Sequence, residues 1–462
     1  MKSQYIFLIA SFLAFAVLSY VYFPESIDDA YITLRYSKNL LQGYGPVFNI
    51  GERVEGYSNF FWMLLLALFG WIGIHMEMAM KVLGFASGLG VLALVWKFSA
   101  SNFRSVLAVS APVVLLATSS FFAVWAVDGL ETMFYTMLLT SLVYLLTTDK
   151  TNVPLIGMIA GLVAIAAGGY ELFRASYFGE YVSNTAIAKV HWNIDKSLEG
   201  LRYLISHNAE SGYLILPAAI VGAAACVRNS RLGIPVIFVL AQILFLMISG
   251  RDFMYGYRLV VPVMPCIALL CAAGIEIALE RSKRNFAMIA LIIVAGIQAF
   301  STYAALPKKH IGFDNLTYRN SFLFDLPGFF ARNSGPDDWI LLSEAGIIPY
   351  YVEAKIRDFM GLVSPYNSVY QPNHMIRDDY LFSVRPKFVL ISFVDAVDGP
   401  IHPRLHVEAQ ILLNPKFRSS YRAVRDFDIS RDASFTNALY YAYSPRNIIR
   451  VLYTVFERTS DS

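Results

Sequence analysis

The sequence predicts a polytopic α-helical membrane protein that ends in a soluble α/β domain. Three observations carry this. Of the 462 residues, 56% are hydrophobic and 15% are charged, where soluble domains carry roughly 25% charge. Apolar runs of spanning or near-spanning length recur from residue 4 to about residue 305, and mean hydropathy is +0.52. After residue 306 charge returns, with turn sequences such as NSGPDD (333–338) and DGPIHPR (398–404). The expected division is therefore a transmembrane module over 1–305 and a second domain over 306–462.

Taken in order, ten apolar segments are candidates to cross a bilayer: about 4–23, 59–74, 79–98, 105–121, 130–147, 153–169, 211–227, 233–250, 258–279 and 285–305. Residues 1–23 read as an uncleaved first span, because no small-residue cleavage site precedes Pro24. Lys and Arg flank the short connections at Lys97–Arg104, Lys150, Arg228–Arg231 and the ERSKR run ending at Arg284. Basic loops stay inside. They all do so only if SNFFWMLLLALFGWIGIH lies in the interface instead of crossing. That segment is short and carries Trp62 and Trp71, which favour the interface. The expectation is nine spans plus an interfacial helix over about 59–73. The first loop (24–78) and everything after 306 then lie on the outer face.

In the C-terminal part, WILLSE (339–344) and KFVLISFVD (387–395) read as buried strands, and KIRDFMGL as strand-like. AGIIPYYVEA between them reads as a short helix. The stretch is long enough for a core of its own.

Composition excludes several function classes. A net charge of +3 does not argue for nucleic acid. No P-loop, GxGxxG, GxSxG, HExxH or CxxC is present. Cys226, Cys266 and Cys271 lie in apolar spans and read as small buried hydrophobes. The seven His do not cluster; His402 and His406 are four apart, but in a turn. No metal is required by any of this, and metal dependence stays open.

The chemistry concentrates in residues 24–58. Asp28 and Asp29 follow the first span, with Arg35, Glu52, Arg53 and Glu55 beyond them and a Gly/Pro turn, GYGPVFN, between. Carboxylates beside a span are costly unless they face water, a partner or a site. Adjacent acids point about 100° apart on a helix, so one can face a cavity while the other caps or pairs. Deprotonating a hydroxyl needs a carboxylate in reach, and a nearby Arg35 or Arg53 would keep it ionised. On the same outer layer fall Asp128 and Glu131 of VDGLET, Glu171, Arg174 and Lys189 of the 170–210 loop, and Asp252 and Arg258 of SGRDFMYGYR. Asp128 and Glu131 either share a helical face or cap the next span. Arg258, Lys189 and Arg174 either grip an anion such as a phosphate or snorkel to headgroups.

At this point the residues match a known family. DDAYITLRYSKNLLQGYGPVFNIGERVEGYSNFFW closely resembles the first outer loop of integral-membrane glycosyltransferases of the GT-C superfamily. It is most similar to the branch of the mycobacterial terminal β-(1→2) arabinofuranosyltransferase and the pilin arabinosyltransferases. DGLET, ELFRASYFGEYVSNTAIAK, GRDFMYGYRLVVP, LLSEAGIIPYY and IRDFMGL follow in the same order. One departure is that VPLIGMIAGLVAIAAGGY runs directly into ELFR, where the branch carries two further spans.

The resemblance implies an inverting transfer of arabinofuranose, or a related sugar, from a polyprenyl-phosphate donor to an extracytoplasmic glycan, glycolipid or pilin-like protein. It implies catalytic roles for Asp28 and Asp29 and donor-phosphate contacts from Arg258, Lys189 and Arg174. Sugar or acceptor contacts fall to Glu52, Arg53, Glu55, Asp128, Glu131 and Asp252. It places the chain in a bacterial inner membrane with its active site and C-terminal domain on the periplasmic side. Transfer of another sugar, such as mannose or aminoarabinose, and transport of a lipid-linked sugar are the alternatives.

Overall fold

The computed structural model describes residues 2–24, 26–147, 153–189, 193–212, 215–224, 230–252, 254, 256–279, 284–309, 321–371, 375–396, 399–428 and 448–459. The chain divides into two compact units that interleave in sequence. One comprises Met1–Pro24, Met80–Ala164 and His191–Pro307; the other comprises Glu25–Ala79, Ile165–Val190 and Lys308–Ser462. Lys150, Cys226, Arg228 and most of ERSKR lie outside the described residues.

The first unit is helical. Its opening helix, Lys2–Tyr22, turns Ile6, Ile9, Leu13, Val17 and Tyr20 outward, all about half exposed or more, and buries Ser11, Phe15 and Ser19. Apolar side chains outside and small or polar ones inside is the pattern of a helix solvated by lipid. Gly–Xaa contacts let the bundle close. A Cβ at Gly84 would overlap the carbonyl of Ala126, one at Gly200 that of Leu246, and one at Gly222 that of Leu270.

Two described helices are long and apolar enough to cross a membrane, within Tyr5–Tyr22 and Met76–Asn102. Val106–Ala117 and Ser120–Val127 make a third if the pair, bent by 55°, is one span. Five more apolar helices run 10–17 residues. Against the nine expected spans, two or three thus meet the length criterion among the described residues. The bend falls where Ser119 caps the second helix by accepting from the Phe122 amide at 3.4 Å, and the Ser120 amide donates to Thr302 at 3.1 Å. The second of these helices, Ser120–Val127, is buried along its whole length. Phe60–Trp71 has twelve residues, about 18 Å long and shorter than the roughly 30 Å hydrocarbon layer.

The second unit is built on a six-stranded sheet: β1 (Trp339–Leu342), β2 (Lys355–Asp358), β3 (Phe388–Ala396), β4 (Gly399–Pro403), β5 (Tyr421–Asp428) and β6 (Ile448–Arg458). The order is β2-β1-β3-β6-β5, with β4 also on β3. β1 is parallel to β2 and β3, and β6 runs antiparallel to β3 and β5. The expected strands and the short helix (Ile347–Tyr351) are all present. β5 was not expected because it is an exposed edge carrying Arg422 and Arg425, without an apolar run.

Packed with the sheet domain is the first-loop helix Asp28–Leu41. Two acids in its first turn and Lys38 in its last complement the helix dipole. It ends before Gly43 and Gly45, whose φ values of +84° and +85° favour glycine. The helix Val153–Phe178 runs on through ELFRASYF, past the expected end of the span at 169.

Candidate functional site

In the second unit the acid pair opens the first-loop helix, and its two members differ. Asp28 is 6% exposed, and its carboxylate accepts from the amides of Gly346 at 2.9 Å and Ile347 at 2.8 Å. It thereby caps the helix Ile347–Tyr351 from a position more than three hundred residues away. The approach demands glycine, since a Cβ at Gly346 would overlap the carbonyl and carboxylate of Asp28. Asp29, one residue on, is half-buried.

Neither arginine expected to hold these acids ionised does so by a direct ion pair here. Arg35 is buried and donates to the carbonyls of Phe48 (2.9 Å), Ala354 (3.0 Å), Val352 (3.4 Å) and Pro349. Burial lowers its pKa to about 10. It acts as a rivet between the first-loop helix and the segment 349–354. Arg53 lies over the ring of Tyr177 at 4.5 Å.

Among the described residues Glu55 is the most enclosed acid of the loop. Its side chain is 1% exposed and pairs with Arg174 at 2.7 Å, while the Tyr170 hydroxyl donates to its other oxygen. Sequence positions 55 and 174 are thus brought together. Rings continue the contact: Tyr57 meets Tyr36 at 4.7 Å and Phe60 stacks on Tyr170 at 4.4 Å. Glu52 accepts from Asn49 at 2.9 Å and pairs with Arg357 of β2 at 3.6 Å. Arg357 is itself sandwiched between Trp339 and Tyr380, at 4.6 and 4.2 Å. Lys189 ends the helix Asn184–Lys189, and its side chain lies outside the described residues.

The reading of the sequence missed Asn184. Its side-chain amide donates to the carbonyls of Gly361, Leu362 and Ser364, and its oxygen accepts from the Tyr366 amide, all at 2.8–2.9 Å. Its own backbone amide donates to Glu55 at 3.0 Å. One residue therefore fastens the 171–190 segment both to the first loop and to the loop after β2. No spacing rule flags an asparagine in such a role.

The remaining candidates lie in the first unit. Asp128 is fully buried at the C-terminus of Ser120–Val127, and Glu131 lies just before the next helix. They do not share a helical face, because Gly129 at φ +108° breaks the chain into a turn. Arg258 pairs with Asp252 at 2.7 Å and lies 6.0 Å from the Trp125 ring. The Trp125 indole N–H donates to Gly256 at 2.9 Å, and a Cβ at Gly256 would crowd that nitrogen. Tyr257 takes φ +54°, unusual for a bulky residue, with its ring against Phe121, Tyr203 and His207. A second cation went unnoticed in the sequence. Lys81 is 2% exposed, donates to the carbonyl of Val127 at 2.8 Å and lies 5.3 Å from the Phe23 ring. Ionisable groups held this deeply in an apolar bundle are functional candidates. Among the described residues no group of three His, Cys, Asp or Glu gathers as a metal site.

Residues 316–444 match a family described as "Domain of unknown function (DUF8728)". Two curated relatives are terminal β-(1→2)-arabinofuranosyltransferases. The Mycobacterium tuberculosis protein is 29% identical over 237 residues, 39% of this chain and 37% of the relative. The Corynebacterium glutamicum protein is 26% identical over 363 residues, 60% of this chain and 51% of the relative. The chain thus spans only about a third to a half of the length of the relatives it matches. Among solved structures, ArnT from Cupriavidus metallidurans bound to undecaprenyl phosphate superposes with a TM-score of 0.50 over 98% of both chains, at 10% identity. That likeness is one of fold, a polytopic helical membrane architecture with a C-terminal sheet domain. The chain is similar in sequence to the terminal arabinofuranosyltransferases and in fold to ArnT.

Proposed function

We propose that this protein is an inverting membrane glycosyltransferase that moves arabinofuranose from a polyprenyl phosphate to a glycan or protein acceptor outside the cytoplasm. The observation that carries the reading is the division of labour in the acid pair. Asp28 is engaged by two amides of a distant segment and fixes the helix start. Asp29, half-buried beside it, is the general base. It takes the proton of an acceptor hydroxyl as that oxygen attacks the anomeric carbon. The bond from that carbon to the phosphate oxygen breaks, the sugar inverts, and the lipid phosphate departs with the electron pair. Arg258, with Lys189 or Arg174, is assigned to the donor phosphate, and Lys81 is a further candidate cation. Glu52, Arg53, Glu55, Asp128, Glu131 and Asp252 shape the sugar and acceptor contacts, Glu55 through Arg174. The donor lipid places the protein in a bacterial inner membrane with the acid pair facing outward.

The test is transfer from labelled polyprenyl-phosphoryl arabinofuranose by protein in nanodiscs. Asp29→Asn is expected to lower kcat by at least about a hundredfold, the range of a lost general base, at nearly unchanged melting temperature. Asp28→Ala is expected to lower the melting temperature as well. Undiminished transfer in both variants would end the proposal. Transfer of mannose or aminoarabinose, with arabinofuranose ignored, would keep the chemistry and change the sugar.

A further inference from the structure

One turn beyond the acid pair lies a cluster with no role in the steps above. Tyr31, Tyr350 and Tyr351 pack as three rings, with centroids 5.5 Å apart for Tyr31–Tyr350, 5.0 Å for Tyr350–Tyr351 and 6.3 Å for Tyr31–Tyr351. Beside them the Glu77 carboxylate accepts the Tyr31 hydroxyl at 3.2 Å on one oxygen and the Tyr351 hydroxyl at 2.9 Å on the other. The Lys38 ammonium sits 5.6 Å from the Tyr350 ring centre. The five residues come from three separate stretches of chain, and all belong to the second unit.

We propose that this cluster is a binding subsite for a sugar ring of the glycan acceptor. A sugar ring presents hydroxyl donors on its edge and C–H groups on its faces, so it is held by an acceptor set beside aromatic rings. Both are present. A carboxylate has about four acceptor positions, and the two phenols engage one on each oxygen, orienting Glu77 without exhausting it. Glu77 is half-buried and Tyr351 is 38% exposed, so the cluster is reachable from solvent. The phenols stay protonated as donors: burial, then the Glu77 charge, pushes Tyr350 up to about 12 and Tyr351 higher still.

The position fits as well. Asp28 grips the start of the helix Ile347–Tyr351, and Tyr350 and Tyr351 close its far end. Tyr31 is three residues past Asp28 on its own helix, about 4.5 Å along the axis. A ring held there would lie next to the sugar whose hydroxyl reacts at Asp29. The proposal rests on the glycosyltransferase reading for the identity of the ligand.

Binding of a short arabinofuranosyl oligosaccharide to the full chain in nanodiscs, by calorimetry, tests the subsite; acceptor kinetics with the donor lipid accompany it. Glu77→Gln and Tyr351→Phe, both near-isosteric, are expected to weaken binding about tenfold each, the loss of one charge-assisted hydrogen bond. The acceptor KM is expected to rise more than kcat falls, while the melting temperature stays close to wild type. A clamp that only held helices together would move the melting temperature and leave the KM alone. Oligosaccharide that binds wild type and variants equally, or binds neither, overturns the subsite. Binding that is lost in the variants of a protein transferring no sugar keeps the subsite and overturns the transferase reading. Transfer with the same acceptor KM in all three proteins does the reverse.

Discussion

Asn184 offers the sharpest test of how the second unit is held together. Its side chain serves three carbonyls and one amide at 2.8–2.9 Å. Asn184→Ala removes all four bonds. At a net 0.5–1.5 kcal/mol for each lost interaction, with the Tyr366 amide left without its acceptor, the cost comes to about 3–4 kcal/mol. For a unit of roughly 150–250 residues, 1 kcal/mol moves Tm by about 2–4 °C, so the drop is about 6–16 °C. Asn184→Asp separates the two kinds of contact. It keeps the acceptor for Tyr366 but turns a carboxylate toward three carbonyl oxygens. That raises the folded pKa of the new acid above its unfolded value near 4. Its relative stability is therefore fullest below pH 4 and falls as pH rises through the folded value. At pH 7 it should be no more stable than the Ala variant, and acidification should narrow its gap to wild type. The assay is a thermal scan at one fixed rate, since unfolding of such proteins is commonly irreversible. Proteolysis of the 361–366 loop provides a local readout. An Asp variant that melts with wild type at pH 7 would refute the argument, because the three carbonyls would then need no donor.

The remaining expectations concern buried charge and close approach. Glu55→Gln is expected to cost about 1.5–3 kcal/mol, because it removes the charged partner on one side of Arg174, which keeps Glu171 on the other. The double variant with Arg174→Met should cost less than the sum, measured as a double-mutant cycle. Gly346→Ala should displace Asp28, lowering both Tm and any transfer, whereas Gly335→Ala, where a Cβ meets open space, should do neither. Asp358 is fully buried; desolvation lifts its pKa to about 6, against the opposing pull of the Val363, Met360 and Leu362 amides. Its folded value exceeds the unfolded value near 3.9, so its contribution is full below pH 4 and is lost as pH rises through 6. The loss is at most about 3 kcal/mol, and Asp358→Asn should flatten that slope in pH-dependent melts.

Much was legible in the amino-acid string because it is local. Apolar runs, basic flanks and a Gly/Pro-rich turn mark where helices stop, and WILL and FVLISFVDA announce buried strands by their mostly apolar content. The acid pair stood out because charge next to a membrane span is expensive wherever it occurs. Tertiary structure alone decided which aspartate caps, since the answer lies with two amides at 346 and 347. It also decided that Arg35 rivets carbonyls instead of steadying an acid, that Asn184 joins three segments, and that Glu77 meets two tyrosines 320 positions apart in the chain. These are hydrogen bonds between residues far apart in sequence. Periodicity and propensity report only what neighbours along the chain do to one another, so partners of this kind leave no trace in the order of residues.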